Sequence, residues 1–248
     1  MVEQTIETHK EQLAGIILDP CACNAGIIPP EEGFLEALQE LTAKHGIVVI
    51  FDEVITGFRL GLGGAQEKFG VTPDLTTMAK AMGGGFPVAV YGGRADIMDL
   101  LADASVLRAG TLNANRVAIA ATYATLEYLE EDNGKVYREI YRLGEKLISG
   151  IREIIRKERI QALVQGFGPM FQIHFTPLPH IRDYRDSCQS SGDLFMTWRN
   201  KMLEKRIFIR PAHFGELYVT AAHTDEDIDY TLTAVEAVLG EMKEEKLV

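Results

Sequence analysis

The chain has 248 residues, 46% of them hydrophobic, and a formal net charge of −11. That size allows one large or two small domains around a substantial core. The acidic balance argues against nucleic acid as a partner, because no basic cluster offsets it. Cys21, Cys23 and Cys188 are too few and too ill-placed for a disulfide framework, and Cys21-Ala22-Cys23 has no matching His or Cys pair to complete a metal site. Reduced thiols in a cytoplasmic protein are the simpler reading. No basic flank followed by an apolar stretch opens the sequence, and no apolar run approaches the ~20 residues of a membrane span.

In chain order, residues 13–18 form a short apolar run closed by Asp19-Pro20, which predicts a buried strand. Pro29-Pro30-Glu31-Glu32 puts proline and acids in the first turn of a helix. Phe34, Leu35, Leu38 and Leu41 continue it at helical spacing to Lys44-His45, and Gly46 stops it. Residues 47–51 are the next strand. Strand, helix, apolar strand is the order of a βαβ unit, hence of a parallel sheet with covered faces. Residues 75–79 and 88–91 predict two further short strands, 94–101 a short helix, and 115–129 a long alanine-rich one.

Ile140, Leu143, Leu147, Ile151 and Ile154 mark the apolar stripe of a charged helix over 136–157. From about residue 131 the pattern is that of a second unit, which divides the chain into domains 1–130 and 131–248. Gly166-Phe167-Gly168-Pro169 leads into a strand over 170–175. Residues 193–206 read as helix, 207–210 and 217–221 as strands, and 225–239 as a closing helix. Thr224, with Glu226 and Asp227 behind it, supplies the cap and acidic first turn of that helix. The charge run 241–246 is expected to fray.

The most informative pairing joins Asp52, at the exit of the strand 47–51, to Lys80, which precedes Gly83-Gly84-Gly85-Phe86-Pro87. A lysine amine can form a Schiff base with the aldehyde of pyridoxal 5′-phosphate. An acid can hold the cofactor's pyridine nitrogen protonated, so that the ring acts as an electron sink. Glycines let backbone pass close to a bulky ring. Each residue also has an ordinary explanation: Lys80 as a surface lysine, Asp52 as a helix cap. The glycine run lacks the following Lys-Ser/Thr of a nucleotide-binding P-loop.

The surrounding text decides between them. Phe51-Asp52-Glu53-Val54-Ile55-Thr56-Gly57-Phe58-Arg59, Gly63-Gly64-Ala65-Gln66-Glu67, Thr72-Pro73-Asp74-Leu75-Thr76-Thr77-Met78-Ala79-Lys80, Gly110-Thr111-Leu112-Asn113-Ala114-Asn115 and Ala221-Ala222-His223-Thr224-Asp225-Glu226-Asp227 stand in this order. Together they resemble the class III aminotransferases, within them glutamate-1-semialdehyde 2,1-aminomutases and related aminotransferases, from about Gly15 to Leu239. The resemblance implies an α/β chain of the fold-type I pyridoxal-phosphate-dependent transferases. It would comprise part of the large domain, with a mostly parallel sheet, and a small α+β C-terminal domain. Family members extend further at the N-terminal side. There they carry a glycine/threonine loop for the cofactor phosphate and an aromatic residue that stacks on the ring. Neither has a counterpart here, so the sequence reads as the C-terminal part of such an enzyme, with an uncovered sheet edge.

By the same resemblance, Lys80 is the Schiff-base lysine and proton carrier, Asp52 the partner of the ring nitrogen, and Val54 packs on the ring from the strand face it shares with Asp52. Glu53 is read as structural. Thr111 would bind the cofactor phosphate of the neighbouring subunit of a homodimer, with a plain helix cap as the alternative. Glu216, which with Arg210 flanks the loop Pro211-Ala212-His213-Phe214-Gly215, falls where the family approaches its substrate, a small amino or keto acid. His223 is read as structural and not as a base. Cys21 and Cys23 are expected to be buried and inert. Amino-group transfer between two molecules and migration within one both suit the motifs. A catalytically incompetent fragment lacking the phosphate loop is the alternative of another class.

Overall fold

A computed structural model describes residues 1–103 and 105–248. The chain falls into two compact units. The first comprises Met1–Pro20 and Pro30–Lys135, the second Cys21–Pro29 and Val136–Val248.

In unit 1, helix α1 (Val2–His9) precedes strand β1 (Gly15–Leu18), helix α2 (Phe34–Lys44) and strand β2 (Val48–Glu53). Helix α3 (Gly64–Phe69), strand β3 (Leu75–Met78), strand β4 (Val90–Gly93) and helix α4 (Ala95–Ala102) follow. The sheet order is β1-β2-β3-β4. Strands β1, β2 and β3 run parallel, Ile17 opposite Ile50 and Asp52 opposite Thr77, while β4 is antiparallel to β3. The expected βαβ unit is thus β1-α2-β2. Period-two alternation sends Val49, Phe51 and Glu53 to the buried face of β2 and leaves Val48, Ile50 and Asp52 half-buried on the other. Leu35 of α2 packs there with Val49, Phe51 and Val71.

Several expectations change at this level. Strand β1 is not buried: it is an edge strand, and Ile17 is 63% exposed. Helix α2 starts at Phe34, not at the prolines, because Gly33 takes a left-handed φ of 77° that separates Pro29-Pro30 from the helix. The strand expected over 88–91 begins at Val90, and α1 and α3 carried no recognised signal.

Helix α5 (Arg116–Glu158) begins in unit 1 and ends in unit 2. It breaks at Asp132, Asn133 and Gly134, whose φ values of 48°, 55° and 73° are left-handed, so 116–130 and 135–158 are two helical segments, as the sequence implied. Unit 2 continues with β5 (Leu163–Phe167), β6 (Met170–His174), α6 (Tyr184–Ser187), α7 (Gly192–Glu204), β7 (Leu217–Tyr218) and α8 (Asp225–Glu244). Its antiparallel sheet has the order β5-β6-β7. Leu143, Ile148 and Ile151 of α5, Phe195 and Trp198 of α7, and Val235 and Leu239 of α8 pack against it as one core.

Strand β5 was not anticipated. Of the glycines read as the start of a strand, Gly166 lies within β5, and Gly168, at φ 51°, forms with Pro169 the turn of a hairpin. Residues 207–210 form no strand, and 217–221 pair only over Leu217–Tyr218. The charge run 241–246 does not fray as a whole. Helix α8 runs to Glu244, because Val238, Leu239 and Met242 are buried and Lys201 and Lys205 pair with Glu241. The Thr224 cap forms in full: its hydroxyl accepts from Asp227 N–H, and Asp227 accepts from Thr224 N–H at 2.8 Å.

Candidate active site

The carboxyl ends of the adjacent strands β2 and β3 carry Asp52, Val54 and Lys80, three of the residues singled out in unit 1. In open α/β sheets, ligands bind outside the carboxyl ends of the strands. Asp52 sits at that end of β2. Its Oδ1 accepts Val54 N–H at 3.0 Å and Thr77 Oγ1–H at 3.3 Å. Among the described residues no donor reaches Oδ2. One oxygen is therefore held by backbone and hydroxyl, and the other is open to a cationic or N–H donor.

Lys80 follows the end of β3, the strand registered beside β2. It opens a short 3₁₀ turn, Lys80–Gly83, with φ 49°, a left-handed conformation that costs a non-glycine residue of order 1 kcal/mol. The side chain is exposed and has no hydrogen-bond or ion-pair partner among the described residues.

Val54 does not share a strand face with Asp52. Strand β2 ends at Glu53 and Val54 begins the turn, so its contribution to Asp52 is a backbone N–H. Glu53 is fully buried. It accepts from the Thr56 hydroxyl at 2.9 Å, from Ala65 N–H and from Gln66 Nε2 at 2.9 Å. Gln66 also reaches Thr76 Oγ1 at 3.0 Å. These bonds tie the turn after β2 and the start of α3 to β3, which fixes where Asp52 points.

Gly84 of the glycine run also has a packing role. At Gly84, φ 56°, a Cβ would fall 2.5 Å from Thr125 Oγ1 on α5. The glycine is required by the close approach of the 116–130 helix, and Gly85, φ 92°, completes the turn.

Thr111 lies exposed in the turn before α5. It is not the cap of that helix: Asn115 Oδ1 accepts from Val117 N–H and Ala118 N–H at 3.1 Å each. Thr77 is the residue that sequence reasoning missed. Thr76 and Thr77 on β3 stand opposite Phe51 and Asp52 on β2, and alternation sends one threonine to each acid's network.

Glu216 belongs to unit 2. It is buried and paired with Arg210 at 2.8 Å, with Gly215 giving the guanidinium room. His223 is tied by its own turn, its Nδ1 accepting Thr220 N–H at 3.1 Å. Cys21 and Cys23 are buried in unit 2 and Cys188 is exposed, and none of the three is in a disulfide among the described residues. No helix among the described residues is long and apolar enough to cross a membrane.

The class-III aminotransferase family model matches residues 1–239. Glutamate-1-semialdehyde 2,1-aminomutase 2 of Exiguobacterium sibiricum is 41% identical over 243 residues, covering 98% of this chain and 55% of that protein. An omega-transaminase from Sphaerobacter thermophilus superposes with a TM-score of 0.89 at 33% identity, over 98% of this chain and 55% of that one. A glutamate-1-semialdehyde aminomutase from Pseudomonas aeruginosa PAO1, solved in complex with PMP, does so with a TM-score of 0.85 at 25% identity, over 97% and 54%. The chain spans about half the length of the relatives it matches. The mostly parallel sheet, the motifs at its carboxyl ends and these likenesses agree on one conclusion: the chain belongs to the class III aminotransferases, pyridoxal-phosphate-dependent enzymes of fold type I.

Proposed function

We propose that unit 1 carries pyridoxal 5′-phosphate for amino-group transfer on a small amino or keto acid. The observation that carries the proposal is the half-satisfied Asp52, with Oδ1 held by Val54 and Thr77 and Oδ2 open, one strand from the unpartnered Lys80. These residues fit the group: an open carboxylate oxygen for a ring N–H, and an unengaged amine for an aldehyde. When bound, the cofactor supplies that aldehyde and an electron-withdrawing ring.

Lys80 is the amine that anchors the cofactor and afterwards moves a proton at the substrate carbon through its Nζ. Asp52 keeps a proton on the ring nitrogen by its negative charge. Thr77 and Val54 N–H orient the Asp52 carboxylate, and the Val54 side chain packs against the ring. Thr111 takes the phosphate of a second copy in a homodimer. Leu107, Leu112, Val117 and Tyr123, all exposed in the stretch 107–123 that contains Thr111, supply apolar area for that association. Glu216 is a substrate-side contact, held by Arg210. The likeness to aminomutases and transaminases supports both migration of the amino group within one molecule and transfer between two.

Titration with pyridoxal phosphate, followed by visible absorption, tests the proposal. The chain is expected to develop the band of lysine-bound cofactor, and Lys80→Ala to lose it while circular dichroism is unchanged. An unchanged band in Lys80→Ala removes Lys80 from the mechanism. No band in either protein favours the alternative, a chain that needs further residues before it can hold the cofactor.

A further inference from the structure

The end of α5 carries three arginines, Arg152, Arg156 and Arg159, that line one concavity of about 380 Å³ in unit 2. Arg152 and Arg156 stand four residues apart on one helix face, and Arg159 follows in the turn that closes the helix. Arg152 lies against the wall of the concavity. Its Nε and Nη2 donate to the Val164 carbonyl at 3.2 and 3.0 Å, which sets the plane of the guanidinium and leaves Nη1 open. Arg156 is 82% exposed and lies 3.9 Å from Glu153, beyond hydrogen-bond reach. The Arg159 side chain has no hydrogen-bond or ion-pair partner among the described residues. Two other acids close in sequence or packing are engaged elsewhere, Glu158 with Lys243 and Glu236 with Lys157.

This arrangement works against the local fold. Like charges four apart on a helix repel. Arg159 has a left-handed φ of 57°, and Ile160 N–H bonds the Ile155 carbonyl at 3.0 Å across it. That is the closing turn in which helices favour glycine, so an arginine there is strained. The helix dipole does favour cations in a last turn, and Lys157 already supplies one. The dipole explains neither Arg152, more than a turn from the end, nor three guanidiniums around one concavity. Residues that break local rules in this way mark sites kept for function. Ile155, Ile160 and Val164 give the concavity an apolar wall, and its volume falls in the range of small-molecule sites, roughly 300–1,000 Å³.

We propose that this concavity binds a small organic phosphate, its oxygens taking the guanidiniums of Arg152, Arg156 and Arg159 and its apolar body resting on Ile155, Ile160 and Val164. Guanidinium matches phosphate in charge and in the geometry of its paired N–H donors, and the tetrahedral group can be met by several arginines at once. The site shares no residue with those proposed above to hold cofactor or substrate.

The test is titration calorimetry of the protein with phenyl phosphate and with inorganic phosphate, at low ionic strength where screening is weak. Phenyl phosphate is expected to saturate one site at or below millimolar concentration. Inorganic phosphate, which has no apolar body to bury, should bind roughly tenfold more weakly. Arg159→Gly is the decisive variant. It should weaken phenyl phosphate about tenfold or more, the ratio a charge-assisted hydrogen bond supplies, yet melt no lower than the parent chain, because glycine is at ease at that φ. Arg156→Gln, at an exposed position, should weaken binding in the same direction. Lys80→Ala should bind phenyl phosphate as the parent does, which separates this site from the cofactor chemistry proposed for unit 1. No saturation at millimolar concentration overturns the proposal, and so do equal affinities for the two probes. Undiminished binding in both arginine variants, a less stable Arg159→Gly, or binding lost in Lys80→Ala does the same.

Discussion

Asp52 and Glu53 are adjacent in sequence, and β alternation gives them opposite tasks. Glu53 ends the buried face and is enclosed by Thr56, Ala65 and Gln66. Asp52 ends the half-buried face and keeps one oxygen open. Replacing Glu53 by Ala leaves three donors without an acceptor in a dry site. The expected loss is about 3 kcal/mol, read by denaturant unfolding. Asp52→Asn should cost little stability, since an amide oxygen still accepts from Val54 and Thr77. In a catalytically active preparation it should slow amino transfer about a hundredfold or more, because a neutral amide cannot hold the ring nitrogen protonated. Near-normal turnover in that variant would remove Asp52 from its proposed role. The two acids and Lys80 could be singled out because each stands in a motif at a strand end. The turn that takes Val54 off the strand was not, since Val54 and Ile55 have the composition of a continuing strand.

At the scale of elements, the legible features were those written in local chemistry. The Thr224 capping box, the stop at Gly46 and the apolar stripe of 136–157 depend on residues within a turn or two of one another. Features set by distant packing were hidden. Strand β5 was missed because Gln165 and Gly166, the latter at φ 137°, interrupt its apolar run, and its register is set by pairing with β6. The C-terminal turns of α8 look like a frayed charge run until Lys201 and Lys205 of unit 2 meet Glu241. Gly144 on α5 shows the same dependence: a Cβ there would run into the Gly168 carbonyl of the hairpin turn. Gly144→Ala, which would stabilise an isolated helix, is therefore expected to destabilise unit 2 by about 2 kcal/mol, measured by thermal or denaturant melting. A gain in stability would mean that the helix and the hairpin do not approach as closely as their glycines allow.

For the whole molecule, the segment Cys21–Pro29 is the feature furthest from what sequence order implies, for it belongs to unit 2 although β1 and α2 on either side belong to unit 1. His174 is one of its anchors. The imidazole is buried, its Nε2 lies 2.9 Å from the Gly26 carbonyl, and its Nδ1 lies 3.2 Å from Ser190 Oγ. Gln165 Nε2 adds a bond to the Ile27 carbonyl at 3.0 Å, and Ser187 binds the Ala25 carbonyl. Burial pushes the His174 pKa below the ordinary 6.5, an effect the Gly26 carbonyl partly opposes and the nearby His213 reinforces. The unfolded chain then binds the proton more readily than the folded one. Stability from the neutral imidazole is fully present above about pH 6.5 and is lost as the pH falls from there through the depressed folded value. Unit 2 should therefore begin to lose stability in mildly acidic solution, before its carboxylates titrate. His174→Gln should flatten that part of the profile, and a wild-type profile level from pH 7 to 5 would contradict the assignment.

Association is also a property of the whole chain. Strand β1 offers an unpaired edge with Ile17 exposed, and apolar side chains around Thr111 face solvent. The net charge of −11 opposes association only within a Debye length of about 8 Å at physiological salt. Sedimentation is expected to show dimers or larger species, and a concentration-independent monomer would contradict the proposed shared phosphate site.

Cofactor attachment at one named lysine is the claim on which the proposed chemistry of unit 1 depends, and peptide mapping measures it directly. The protein is mixed with pyridoxal phosphate, reduced with borohydride to fix any lysine–cofactor bond, digested and analysed by mass spectrometry. The expected result is one stoichiometric pyridoxyl adduct on Lys80, lost in Lys80→Ala and not transferred to Lys68 or another exposed lysine. Adducts scattered over surface lysines, with Lys80 no more modified than the rest, would contradict it.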